Sequence, residues 1–306
     1  MSHMSPLLRI ALSLSAIGLM AVSNPLPAGS YGAGLQNSQW YLSESIFDCA
    51  LTHDIPGYGR AVFSHRAGEN LQFYLEAEVP LMRAGRGMLA VEAPAWRPGA
   101  DTRKLGYVDV EEGRRVVSVA YPESMMLVQG LLDGMAPTLT RQSAYGSDAV
   151  RVRLSNINFK PGYQGYRQCV STLLPVNYDQ IRRSRIPFAS GSARLSDGDR
   201  KRLDLIVTYV LADSTVELVF VDGHTDRIGS RIQNRAISED RARVVADYLI
   251  DAGIAEDQVI VRAHADQFPV SRNAADNRRT TIRLQRQGER PEMQQAEGGS
   301  GGGFSG

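Results

Sequence analysis

The hydrophobic periodicity of this chain changes once, near residue 180, and that change limits the fold more than any other feature. Upstream, apolar and polar residues alternate: Leu71, Phe73, Leu75 and Ala77 share one side of an extended segment, as do Val150, Val152 and Leu154. A repeat of two puts alternate side chains on one sheet face, so these segments read as half-buried strands. Gly and Pro interrupt often, at Pro56-Gly57, Pro80, Gly85, Gly87 and Pro98-Gly99, which keeps the strands short. Two helices break this pattern. Pro122–Leu132 opens on a proline and closes before Gly134, and Gly165–Leu174 carries Cys169. Downstream of Pro175 the repeat becomes helical: Leu203, Ile206, Val207, Val210 and Leu211 recur at i, i+3, i+4, i+7 and i+8. Ser196 and Asp199 precede them in capping-box spacing, with Asp in place of the usual Glu or Gln. A second helix is expected from about Ser238 to Ala252, with Val244, Val245, Tyr248 and Leu249 inward and Gly253 as its left-handed cap. Strands at 186–188, 216–222, 259–261 and 281–284 give the order β-α-β-α-β-β. The fold class is α+β: a β-rich domain over 29–178, then helices on one face of a small mixed sheet over 179–286. Residues 287–306 are rich in Gly, Gln and Glu and read as a flexible tail.

The start of the chain addresses it to export. Arg9 precedes Ile10–Val22, thirteen residues without a charge, and small or turn-forming residues follow to Ala28. This is signal-peptide grammar, with cleavage expected near Ala28 and no internal membrane span after it. In an oxidising compartment the only two cysteines, Cys49 and Cys169, most simply pair; two buried free thiols are the alternative. So few cysteines exclude zinc fingers and cysteine-ligated iron–sulfur clusters, and a net charge of +1 excludes nucleic-acid binding by bulk electrostatics.

Three groups of residues could carry chemistry. Asp222, His224 and Asp226 would face one side of an extended strand and suggest a metal site, but no further ligands accompany them; no metal or cofactor is expected. Asn234, Ser238, Arg241 and Arg243 lie where the second helix is expected to begin, close to a partial positive charge. Arg241 offers a planar fork for a carboxylate, and Asp226 one loop away could accept an ammonium. That arrangement suits a zwitterion; an internal Asp226–Arg241 salt bridge explains the same residues equally well. The third group, Asp276-Asn277-Arg278-Arg279, reads by pattern as a solvated face. There is no nucleophile elbow, His-Glu-x-x-His pair or Gly-rich nucleotide loop. His53 and His65, the histidines of the β-rich half, read as ordinary strand or loop residues, so no enzyme is expected.

Phe188, Ala193 and Leu195, then Gly223-His224-Thr225-Asp226, Gly229, Asn234, Ser238, Arg241-Ala242, Leu249, Gly253, Pro269, Asn273 and Asn277-Arg278-Arg279, occur in the order and spacing of one known module. Over about residues 181–286 the chain resembles the OmpA-like peptidoglycan-binding domain. The resemblance implies binding, without cleavage, of the diaminopimelate-containing stem peptide. It implies Asp226 for the ammonium and Arg241 for the carboxylate, supported by Thr225, Asn234 and Arg278. The chain departs from the pattern at Ala263-His264-Ala265, where the family usually has Gly-aromatic-Gly. It also has Ala274 at a position commonly held by Arg, in a loop shorter than usual.

The upstream half carries Ser38-Gln39-Trp40, Cys49 with Leu51, His53 and Ile55-Pro56, then Gly59, Ala61-Val62-Phe63-Ser64, Arg66-Ala67, Pro94, Trp96-Arg97-Pro98-Gly99 and Cys169 with Leu173-Leu174. These resemble the MotY family of periplasmic flagellar motor proteins. The resemblance implies that Cys49 and Cys169 pair and that the upstream domain docks on the flagellar basal body near the outer membrane. The implied partners are the other T-ring protein and the stator proteins, and the implied role is to anchor stator units on the wall. A general envelope tether with an OmpA-like domain is the alternative.

Overall fold

The computed structural model describes residues 29–94, 97 and 99–289. The expected signal segment, residue 290 onward of the tail, and Trp96 lie outside the described residues.

The upstream region is built from β1 (Ser30–Gly32), β2 (Trp40–Glu44), β3 (Asp48–Ile55), β4 (Gly59–Arg66), β5 (Gln72–Ala77), β6 (Gly85–Glu92), β7 (Arg103–Val110), β8 (Arg115–Val119), α1 (Tyr121–Leu132), β9 (Ala136–Gln142), β10 (Ala149–Arg153) and α2 (Phe159–Val170). Its strands form two sheets of five, ordered β2-β3-β4-β5-β8 and β1-β10-β9-β6-β7. Alternation decides which side chains go inside. On β3, Cys49, Leu51, His53 and Ile55 are buried while Asp48 and Asp54 are exposed. They join Phe63, Phe73, Leu75, Leu89, Leu139 and Val152 in one core closed by the two helices. Helix α2 begins six residues before Gly165 and ends at Val170. Pro161-Gly162 marks no break, because it lies in the first turn, where proline forfeits no hydrogen bond. Both glycines of α2 let it sit close on the sheet: a Cβ at Gly162 would lie 3.2 Å from Leu51 and Trp40. Cys49 and Cys169 are disulfide-bonded, joining β3 to α2.

The downstream region follows as α3 (Tyr178–Ile181), β11 (Arg183–Pro187), α4 (Asp197–Ala212), β12 (Val216–His224), α5 (Arg231–Asp251), β13 (Val259–Ala263), α6 (Ala274–Asn277) and β14 (Arg279–Arg286). Its sheet runs β11-β14-β12-β13, with β12 and β13 parallel and the other pairs antiparallel. Leu203, Ile206, Val219, Val221, Val245, Leu249 and Ile282 form a second core. The Ser196–Asp199 capping box forms with both reciprocal bonds, so Asp does serve at its third position. Helix α5 starts two turns earlier than Ser238. Ser230 and Gln233 cap it, and its first turns are mostly solvent-facing, which leaves no apolar repeat to announce them.

The regions are fastened at α3. Asn177 donates to the Ala67 carbonyl and to Glu69, Gln180 donates to the Gly68 carbonyl, and Arg66 pairs with Asp179 at 2.8 Å. Phe47 reaches from the upstream region to the second core, 5.6 Å from the Tyr209 ring. Among the described residues, no helix is long and apolar enough to cross a membrane.

Candidate functional site

The expected ligand residues gather where β12 ends and its loop turns into α5. Position 223 must be glycine, because α5 crosses β12 there: a Cβ would lie 1.9 Å from the Ser238 carbonyl oxygen. Ser238 is fully buried and its hydroxyl accepts from the Ala265 amide at 3.2 Å. The Thr225 amide donates to the Ala265 carbonyl at 2.8 Å, so the β12 and β13 exits are tied together. Ala265 holds φ +53, a left-handed backbone that favours glycine. The departure from Gly-aromatic-Gly is therefore accommodated with strain.

Arg241 is 1% exposed and lies in the third turn of α5, well beyond the influence of the helix N-terminus expected for it. Its Nε donates to Ser192 O at 2.9 Å, Nη1 to His224 O at 3.0 Å and Nη2 to Ala189 O at 3.0 Å. Its guanidinium also lies 5.4 Å from the Phe188 ring centre. Burial, and then the nearby charge of Arg278, pull the Arg241 guanidinium below its ordinary pKa, while Asp226 opposes them. Three of the five N–H donors of an arginine are thus spent on the backbone, leaving one on each terminal nitrogen.

Asp226 does not pair with Arg241. Its Oδ2 accepts from Arg278 Nη1 at 2.9 Å and its Oδ1 from the Ile228 amide at 3.0 Å. Asn234 donates to the Asp226 carbonyl at 3.3 Å. Thr225 is 4% exposed, and among the described residues its hydroxyl has no hydrogen-bond partner, nor has Nδ1 of the adjoining His224. All five expected ligand residues are thus close together, with Arg278 more central than its pattern suggested. Far from being a solvated face, Arg278-Arg279 is anchored: Arg279 is 5% exposed and donates to the Phe268 carbonyl at 3.0 Å. Asn277 accepts from the Val270 amide at 2.8 Å and holds the same loop. Arg243 lies outside the site, paired with Glu239 on the solvent side.

Asp222 and His224 share a sheet face, but Asp222 is committed to Arg262 at 2.5 Å and His264 at 3.0 Å. Among the described residues no group of His, Cys, Asp and Glu could hold a metal ion. Sequence reasoning missed the acceptors of Arg241 at Ala189 and Ser192, which are backbone carbonyls and carry no side-chain signal.

Residues 31–175 match the MotY N-terminal domain and residues 187–283 match the OmpA family. The chain joins a MotY N-terminal domain to an OmpA domain. The sodium-type flagellar protein MotY of Vibrio parahaemolyticus is 28% identical over 287 residues, 88% of this chain and 94% of that protein. Outer membrane protein A of Atlantibacter hermannii is 38% identical over 96 residues, which cover 31% of this chain and 40% of that protein. The peptidoglycan-associated lipoprotein of Burkholderia pseudomallei is 22% identical, with a TM-score of 0.33 over 36% of this chain and 96% of that one. The MotY and OmpA-like families are non-enzymatic.

Proposed function

We propose that this chain is a periplasmic component of the flagellar motor that holds peptidoglycan with its OmpA domain and docks on the basal body with its MotY domain. It thereby anchors stator units near the outer membrane. The observation that carries the wall contact is that two buried opposite charges, Asp226 and Arg241, lie near one another without pairing, beside a Thr225 hydroxyl that has no hydrogen-bond partner among the described residues. An isolated buried charge is costly, so such a site stays intact only where a ligand or a neighbour answers it. Here Arg278 answers Asp226, and two N–H groups of Arg241 remain. The diaminopimelate end of a stem peptide supplies both complements: its ammonium shares the Asp226 carboxylate with Arg278, and its carboxylate takes the Arg241 fork. Asn234 and Thr225 hold the loop and offer further hydrogen bonds. The mechanical logic is simple. Torque requires a fixed body to take the reaction force, and the wall is the fixed body of the envelope. Modest affinity per copy suffices where several copies act together.

The test is a sacculus pull-down with the full chain. Asp226→Asn keeps the size of the side chain and removes its charge; binding should fall at least tenfold while the thermal transition is retained. Equal pelleting of Asp226→Asn and wild type overturns the pocket.

A further inference from the structure

We propose that the open edge of β7 is a docking groove for an extended, basic segment of a partner protein. This rests on the reading that the MotY domain docks on other motor components, and it states what such a component must present. Strand β7 ends its sheet, and among the described residues only β6 pairs with it. The chain then turns into β8 of the other sheet, where the Glu111 amide donates to the Val116 carbonyl. Here lies a cavity of about 310 Å³ with Leu105, Val108 and Val119 among its walls. Asp109, Glu111 and Glu123 also line it, from β7, the turn after it and the first turn of α1. None of the three carboxylates is ion-paired among the described residues, although arginines elsewhere on this domain are paired with acids.

An unpaired strand edge presents free N–H and C=O groups that accept another strand, and charges along an edge keep unsuitable strands away. The sign of the charge therefore selects the guest. An added strand would place alternate side chains against the apolar wall and toward the carboxylates, with main-chain bonds fixing its register. Lysine or arginine at every second position satisfies that pattern; glutamate there is repelled. Strand β7 opens with the exposed cations Arg103 and Lys104, so the acidity is confined to the cavity end of the edge, where Asp109, Glu111 and Glu123 lie.

The probe is a blocked nonapeptide of alternating lysine and valine, titrated into the full chain, with a glutamate–valine peptide as its counterpart. The lysine peptide should slow amide exchange along β7 and bind at least tenfold more weakly to the Glu111→Lys/Glu123→Lys variant. The glutamate peptide should not bind. Unchanged affinity in the variant, protection elsewhere than β7, or equal binding of both peptides overturns the groove. So does a dimer of the chain that occupies the edge. Capture of isolated basal bodies by the wild-type chain is measured separately. If capture persists while the lysine peptide fails, the groove alone is wrong; if wild type captures none, the docking role itself falls.

Discussion

Arg241 is bonded into the fold, and the proposed function gives it a ligand to face as well; replacing it separates the two roles. Arg241→Met keeps most of the apolar stem and removes every N–H. Three carbonyls, the buried one of His224 and the part-buried ones of Ala189 and Ser192, then lose their donor. At about 1 kcal/mol net for each bond, the loss is about 3 kcal/mol. The lost cation–ring contact with Phe188 adds to it, and release from burying a cation offsets that addition. With a urea slope of about 2 kcal/mol/M, the OmpA domain should unfold about 1.5 M earlier. The two tryptophans make the measurement clean, since Trp40 and Trp96 both belong to the MotY domain. Tryptophan fluorescence therefore follows that domain, and far-UV circular dichroism follows both. The expected result is a circular-dichroism transition that splits, its early part shifted and the fluorescence midpoint nearly unmoved. A variant that loses sacculus binding with an unshifted early transition would refute the structural role. Arg241 would then be a ligand group whose backbone bonds contribute nothing.

Ala265→Gly should stabilise the OmpA domain by up to about 1 kcal/mol, because relief of about 1–2 kcal/mol of left-handed strain exceeds glycine's entropic cost of about 0.5–1 kcal/mol; a lowered urea midpoint would contradict this. Reducing the Cys49–Cys169 disulfide, which spans 120 residues, should cost the MotY domain up to roughly 4–5 kcal/mol and the OmpA domain much less, so equal midpoint shifts by fluorescence and circular dichroism would be wrong for it. Acid should weaken the OmpA domain from about pH 6.5 downward. Burial and then the charge of Arg279 bring His224 down to about 3, so below the unfolded value only the unfolded chain takes up its proton and stability falls with pH. Burial pushes the Asp222 carboxyl up, but bonds from His264 and Arg262 outweigh it and set it at about 2, which adds a further loss as pH drops below about 3.8. Between pH 6.5 and 4.5 the loss should be on the order of 2 kcal/mol, and it should largely vanish in His224→Asn; a variant with the same pH profile would remove His224 as the cause.

The elements that face a core were legible because burial writes a period into the sequence. Phe73, Leu75 and Ala77 alternate on β5, and Leu203, Ile206 and Val210 repeat on α4, so both elements were placed within a residue or two. The start of α5 was not legible, because Arg231, Gln233 and Arg235 face solvent and any helix or loop tolerates them there. For the same reason the helix-terminus argument for Arg241 failed, although the residue does lie buried against His224 and near Asp226. Its true anchors are the carbonyls of Ala189 and Ser192, which every residue possesses. By pattern alone Arg278 read as a solvated face, because an Arg pair on a loop usually is, and only the resemblance singled it out; the fold places it against Asp226.

The position of the site follows from the topology more than from any motif. Only β12 and β13 run parallel in this sheet, and α5 is the crossover between them. A parallel pair sends both carboxyl ends to one side, and the loops leaving those ends must diverge to reach α5 and β14. In open, mostly parallel sheets ligands bind in the crevice outside such carboxyl ends, and the one parallel pair here forms a crevice of that kind. Here Thr225 and Asp226 leave β12, Ala265 leaves β13, and the Thr225–Ala265 bond closes the crevice floor. Strand β14, antiparallel to β12 on the other side, begins where β12 ends and so delivers Arg278 to the same rim. A single helix, α5, then supplies Asn234, Ser238 and Arg241 at spacings of four and three, one face reading the crevice from behind. Moving any of these residues by one position on α5 would rotate it about 100° away from the crevice. The spacing of the three residues is therefore set by the crevice they face.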